Sequence, residues 1–200
     1  IDFIVTDHHE PKETIPDAVA VVNPKVPGSG YPDTALAGVG VTLKLCQGIA
    51  KKTGCGDSLW RPYLDLVALG TAADIVPLTG ENRIIARFGF EQLSNSASIG
   101  IRELIAQQGL TGKKLSTSQV VFQLAPCINA VGRLGDPRRG VELLLTKDQE
   151  KAINYAKDLR AANLERRELD NAVAEEAGAW VYCNCDPDSD VSIVIGKEDW

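Results

Sequence analysis

Two hundred residues and 21.5 kDa suffice for one ordinary domain with a real core, which excludes a peptide hormone, a disulfide miniprotein or a fibrous repeat. Apolar residues make up 44% and charged residues 24%, so the chain reads as soluble and globular, with no membrane partner. Lys and Arg number 21 against 27 Asp and Glu, a net charge of -6 that argues against a general nucleic-acid coat protein.

The charge is unevenly placed. Between Arg102 and Arg167 there are 12 basic and 7 acidic residues, leaving 9 against 20 in the remainder, so one basic stretch sits on an acidic background. The five cysteines are odd in number and scattered, and Cys183-Asn184-Cys185 is too tight a pair for a zinc knuckle, which points to a reducing cytoplasm. The start, IDFIVTDHH, lacks the basic opening of a signal peptide. With no Met anywhere and an end directly after a strand-like run, the sequence reads as a piece of a longer chain.

In chain order, the β-branched run at 1–6 predicts a strand of a parallel sheet buried on both faces, and AVAVVNP at 18–24 a second one. Apolar spacing predicts helices over 36–49, 63–69, 84–95, 99–108 and 116–125. The Gly, Pro and Asn content of APCINAVGRLGDPRR, 125–139, predicts a loop. From Asp148 to about Trp180 the sequence predicts a single helix of ~45 Å, too long for one small domain and therefore a connector between lobes. VSIVIG, Val191 to Gly196, reads as the first strand of a further domain.

The chemistry-bearing residues fall at the edges of these elements. Asp7, His8 and His9 follow the first strand at its carboxyl end, where open α/β sheets form ligand sites, and two imidazoles beside a carboxylate suit a transition-metal ion or a phosphate. The competing reading is a solvated turn capping the strand. Asp74 lies in the apolar stretch ALGTAADIVPL, as a metal ligand or equally a helix cap. Asp65 competes for that role, although its helical surroundings favour a surface or supporting position. Asn129 and Arg133, four residues apart between glycines, suit a loop whose amides and guanidinium clamp a phosphate, or a plain turn with a surface ion pair. A two-metal centre needs more ligands than these, so the remainder is expected before Ile1.

IVTDHHEP, LAGVGVTLKL, LDLVALGTAADIVPLTGENR and CINAVGRLGD, in that order, resemble the DHH phosphoesterase superfamily and within it the single-strand-specific exonuclease branch. The resemblance implies an α/β fold: a parallel-sheet DHH domain with a helical portion, here its later part at 1–147, a connector helix at 148–180, and at 190–200 the first strand of a truncated DHHA1 domain. It implies two Mn²⁺ or Mg²⁺ ions, with His8 and Asp74 as ligands, His9 a ligand or a contact to the scissile phosphate, and Asp7 a supporting carboxylate. The implied reaction is metal-assisted hydrolysis of single-stranded DNA from the 5′ end in repair and recombination, with a single-strand-binding protein and a helicase as partners. Arg133, Arg138 and Arg139 would guide the strand. The family's earlier aspartate motifs are absent from these residues, so the polypeptide by itself should be inactive. Two other readings remain: a small-substrate DHH phosphoesterase acting on oligoribonucleotides, cyclic dinucleotides or pyrophosphate, and a non-catalytic DHH-like scaffold that binds DNA.

Overall fold

The computed structural model describes residues 1–186, 189, 192–198 and 200. Two short strands, β1 (Ile4–Thr6) and β2 (Ala20–Val22), pair in parallel with Ile4 opposite Ala20, Val5 opposite Val21 and Thr6 opposite Val22. The helices are α1 (Gly38–Thr53), α2 (Leu64–Ala73), α3 (Gly80–Leu93), α4 (Ile99–Gln107), α5 (Thr117–Gln119), α6 (Ala125–Leu134), α7 (Arg138–Leu145) and α8 (Gln149–Asn184). A wide π turn, Val120–Leu124, joins α5 to α6. The chain is thus an α/β unit in which a small parallel sheet flanks a helical body.

The core explains the order of the layers. Helix α2 buries residues all round its circumference, including Val67, Ala68, Leu69, Thr71 and Ala72, so it can only be central. Helix α3 lies against it through Gly89, where a Cβ would meet the Leu64 carbonyl at 2.6 Å, so only glycine permits this backbone approach. Gly100 on α4 makes the same kind of contact with the Leu143 carbonyl of α7.

Helix α8 is capped by the Asp148 carboxylate, which accepts from the Lys151 amide at 3.0 Å. Ala152, Ala156, Leu159 and Asn163 form its buried stripe, whose spacing of three and four residues keeps one face on α4, α6 and α7. Among the described residues none after Asn163 is buried, so the second half of this ~54 Å helix projects from the body.

Five expectations change. The strands are not buried on both faces: Ile4 is 56% and Val19 67% exposed, because two strands alone present more apolar surface than α1 and the Val22 contact can cover. The expected loop at 125–139 is instead α6 and the start of α7. Pro126 falls in the first turn, where its missing N–H costs little, and Cys127, Ala130 and Val131 give a buried helical stripe that glycine and proline content had masked. Asp65 is no surface residue: at 4% exposure it accepts from its neighbour Leu66 and from Ser96 Oγ at 2.6 Å, tying α2 to the turn before α4. The connector helix runs on to Asn184. Of the strand expected at 191–196, Val191 lies outside the described residues and 192–197 form no regular element.

Candidate metal and phosphate cleft

The turn after β1 is built around one carboxylate oxygen. The Asp7 amide extends the sheet by donating to Val22 O at 3.1 Å, and Asp7 Oδ1 then faces His8 N at 2.8 Å, His9 N at 3.3 Å and His9 Nδ1 at 2.7 Å. The His9 ring, together with the two amides, holds the Asp7 carboxyl below the usual carboxylate range. Asn23, buried just past β2, closes the turn from the other side: its Nδ2 donates to His9 O at 2.9 Å and its Oδ1 accepts from Lys25 N at 3.0 Å.

This arrangement sends the two imidazoles in different directions. His8 is largely buried against Gly38, where a Cβ would lie 3.2 Å from the ring's Cδ2, so the first residue of α1 must be small for the ring to sit there. Its Nδ1 lies 3.3 Å from Asp74 Oδ2. His9 remains 76% exposed and is paired to Asp7; its ring centroid is 4.3 Å from that of His8.

Asp74 is the residue at which α2 stops; its amide still donates to Gly70 O at 3.1 Å. The stop is enforced by Ile75 at φ 56°, the one non-glycine residue with positive φ among the described residues. For a β-branched side chain that conformation is strained. Asn82, wholly buried on α3, donates from Nδ2 to the carbonyls of Ala35 at 2.7 Å and Pro77 at 3.0 Å, and so ties the segment before Gly38 to the segment after Asp74.

His8 and Asp74 open into a cleft of about 570 Å³ that is also lined by Gly38, Gly70, Asn129, Gly132 and Arg133. Asn129 and Arg133 are one helical turn apart on α6 and exposed, with Gly132 leaving the wall between them bare. The expected cradle of loop amides is therefore absent: most amides at 129–135 are committed to the helix, and only side chains can reach an anion. Arg138 and Arg139 do not line this cleft. Arg138 is paired with Asp136 at 2.6 Å, and Arg139 reaches Glu142 at 3.6 Å with its guanidinium 5.3 Å above the Tyr155 ring.

The structure thus joins four of the six expected site residues, His8, Asp74, Asn129 and Arg133, and leaves Asp7 and His9 as a neighbouring pair. Among the described residues no group of three His, Cys, Asp or Glu could hold a metal ion by itself. The imidazole and carboxylate pair has the chemistry of a partial donor set for a hard or borderline divalent cation. Sequence reasoning missed Asn23, Gly38 and Asn82, which position the site. Asn23-Pro24 after a strand was the sole local signal; Gly38 and Asn82 act through contacts distant in sequence.

The DHH family, N-terminal domain, matches residues 1–71. The single-stranded-DNA-specific exonuclease RecJ of Bacillus subtilis is 41% identical over 177 residues, covering 88% of this chain and 22% of that protein. RecJ of Thermus thermophilus is 32% identical over 198 residues, 99% of this chain and 28% of the relative. The chain therefore spans roughly a quarter of these relatives' length. Among solved structures, an exonuclease RecJ bound to manganese superposes with a TM-score of 0.78 at 34% identity, covering 88% of this chain and 43% of that one. RecJ from Thermus thermophilus in complex with Mn²⁺ gives the same score at 32% identity, over 94% of this chain and 27% of that chain. In sequence and in fold alike, this chain matches a segment of the RecJ exonucleases, and its first 71 residues match the DHH family's N-terminal domain.

Proposed function

We propose that this chain supplies one wall of a divalent-metal phosphodiesterase centre that hydrolyses single-stranded DNA from its 5′ end, in DNA repair and recombination. The observation that carries the reading is the 3.3 Å approach of His8 Nδ1 to Asp74 Oδ2, two residues remote in sequence, inside a cleft that also holds an amide and a guanidinium. The RecJ relatives, solved with Mn²⁺ or Mg²⁺ and named for single-stranded DNA, support the metal and the substrate. His8 and Asp74 would contribute an imidazole nitrogen and a carboxylate oxygen, and His9 a ligand or a phosphate contact from its exposed ring. Bound ions would lower the pKa of a coordinated water and offset charge on the scissile phosphate.

The chain's own side chains do the positioning. Arg133 makes no ion pair among the described residues, so its forked donors are free for the non-bridging oxygens of a phosphodiester, and the Asn129 amide one turn earlier can hold the next polar atom. Asp7 fixes the backbone on either side of His8, so that ring is oriented before any ligand arrives. A single-strand-binding protein and a helicase as partners, and a cytoplasmic setting, belong to the same reading. No helix among the described residues is long and apolar enough to cross a membrane.

The test is a chimera in which this chain replaces the matching segment of the Bacillus subtilis relative, assayed with Mn²⁺ on 5′-labelled single strands. Nucleotides should leave from the 5′ end while duplex resists. His8→Ala or Asp74→Ala should lower the rate about 10²–10³-fold. An unchanged rate in either variant, or equal cleavage of duplex, refutes the assignment.

A further inference from the structure

Among the described residues, seven of the 21 Lys and Arg side chains make ion pairs, Arg138 and Arg139 being two of them. Lys25 pairs with Glu10, Lys44 with Glu81, Arg61 with Asp57, Arg166 with Asp170 and Lys197 with Glu176. Arg83, Arg87, Lys113 and Lys114 are among those that do not: all four are exposed, and among the described residues none makes an ion pair. They also share one concave surface. A hollow of about 560 Å³ is lined by Arg83, Arg87 and Lys114, and an adjoining hollow of about 360 Å³ by Arg87, Lys113 and Lys114. Because Arg87 and Lys114 border both, the two form a continuous groove between α3 and the segment 112–117. Glu91 is the acid that lines it.

The groove is held in shape by the core. Leu115 is 5% exposed, and its amide donates to Ser94 Oγ at 3.0 Å, so the two lysines that precede it are pinned beside α3. Lys113 also donates from Nζ to Gly109 O at 2.9 Å. Arg83 and Arg87 are four residues apart on one helix face, about 6 Å from each other, a spacing close to that of successive phosphates in an extended strand. Of the apolar lining, Ala86, Phe90 and Leu115 are buried and Leu78 is half-buried, so the groove offers mainly charge and little of the aromatic or aliphatic anchoring on which a protein partner's affinity depends. The one ring in the groove's lining, Phe90, is buried, so contacts along the groove fall on the backbone.

We propose that this groove is a second nucleic-acid contact, separate from the His8–Asp74 cleft, along which the phosphodiester backbone of single-stranded DNA lies against Arg83, Arg87, Lys113 and Lys114. The identity of the strand rests on the proposed exonuclease reading; the groove itself rests on the unpaired cations and their shared concavity. Such a contact lengthens the footprint of the substrate without touching the hydrolytic centre and is indifferent to base identity.

Fluorescence anisotropy of this chain with a labelled 20-nucleotide oligo-dT, in EDTA so that no metal takes part, tests it across a salt series. The R83Q/R87Q/K114Q variant, altered only at exposed sites, should bind at least about tenfold more weakly, with the slope of log K against log salt reduced by about 2. Oligo-dA should bind like oligo-dT. Undetectable binding by the unaltered chain, an unchanged affinity and slope in the variant, or equal competition by polyglutamate of matched charge would each overturn the proposal. Arg133→Ala, measured alongside, separates the sites: loss of oligo-dT binding in that variant alone places the strand in the cleft and refutes the groove. Conversely, an inactive chimera with a groove-dependent affinity removes the hydrolytic reading and leaves the groove standing.

Discussion

The helical body and the rim of the cleft are held together by different physics. In the body, α2, α3, α4 and α7 approach so closely that glycine is required at Gly89 and Gly100, and side chains such as Leu93, Leu104 and Leu143 are wholly enclosed. At the rim, a two-stranded sheet with exposed faces, a hydrogen-bonded turn around Asp7 and a strained residue after Asp74 place the chemistry. The chemical groups sit where packing stops: at the end of β1, at the end of α2 and on the exposed face of α6. The difference teaches that the body sets stability while the rim spends some of it on geometry, so substitutions in the two regions should differ in sign as well as size.

The largest effect is expected in the body. Gly100→Ala drives a methyl group into the Leu143 carbonyl, and a backbone cannot swing aside as a side chain can. The expected cost is about 3–4 kcal/mol, a fall in Tm on the order of 10 °C by calorimetry. A loss under about 1 kcal/mol would show that α4 and α7 can part without penalty, and the comparison would fail. Next in size is an alkaline weakness of the same region. Burial pushes the Cys127 thiol up to about 11, while in the unfolded chain it ionises near the ordinary value of about 8.5. The stability this provides is complete below pH 8.5 and is lost as pH rises through about 11, reaching about 3 kcal/mol. Urea unfolding of the protein and of Cys127→Ala from pH 8 to 11 should show the steeper decline in the former; parallel curves would mean that the thiol is accessible to solvent.

How much of this was legible in the sequence follows the same division. Helices with a regular apolar stripe, such as α4 and α8, could be read directly, since their spacing is local. Helix α6 could not, because one proline and one glycine outweighed the Cys127, Ala130 and Val131 stripe in a reading by composition. For Asp65 the surface half of the expectation failed because the partner that buries it, Ser96, comes from another element. The pairing of His8 with Asp74 was expected from the count of candidate ligands and from family resemblance, as no local pattern links them; Gly38 and Asn82 lie within the quoted motifs, but their supporting contacts are distant in sequence. The basic stretch at 102–167 led to Arg138 and Arg139 as strand guides, but both are engaged in ion pairs, and two of the four cations of the proposed groove, Arg83 and Arg87, lie outside that stretch.

The smallest expected effect has the opposite sign. Ile75 is 78% exposed and holds φ 56°, so its side chain contributes little burial while its Cβ crowds the backbone. Relieving that crowding is worth about 1–2 kcal/mol, and the extra freedom of glycine in the unfolded chain takes back about 0.4–1 kcal/mol. Ile75→Gly should therefore raise the unfolding free energy by roughly 0.5–1 kcal/mol. A loss of stability instead would mean that the Ile75 side chain is a packing contact after all, and the rim would then obey the same rule as the body. A gain accompanied by weaker Mn²⁺ binding in a titration of the chimera would sharpen the contrast, because it would show that the strain after Asp74 is what aims its carboxylate at His8.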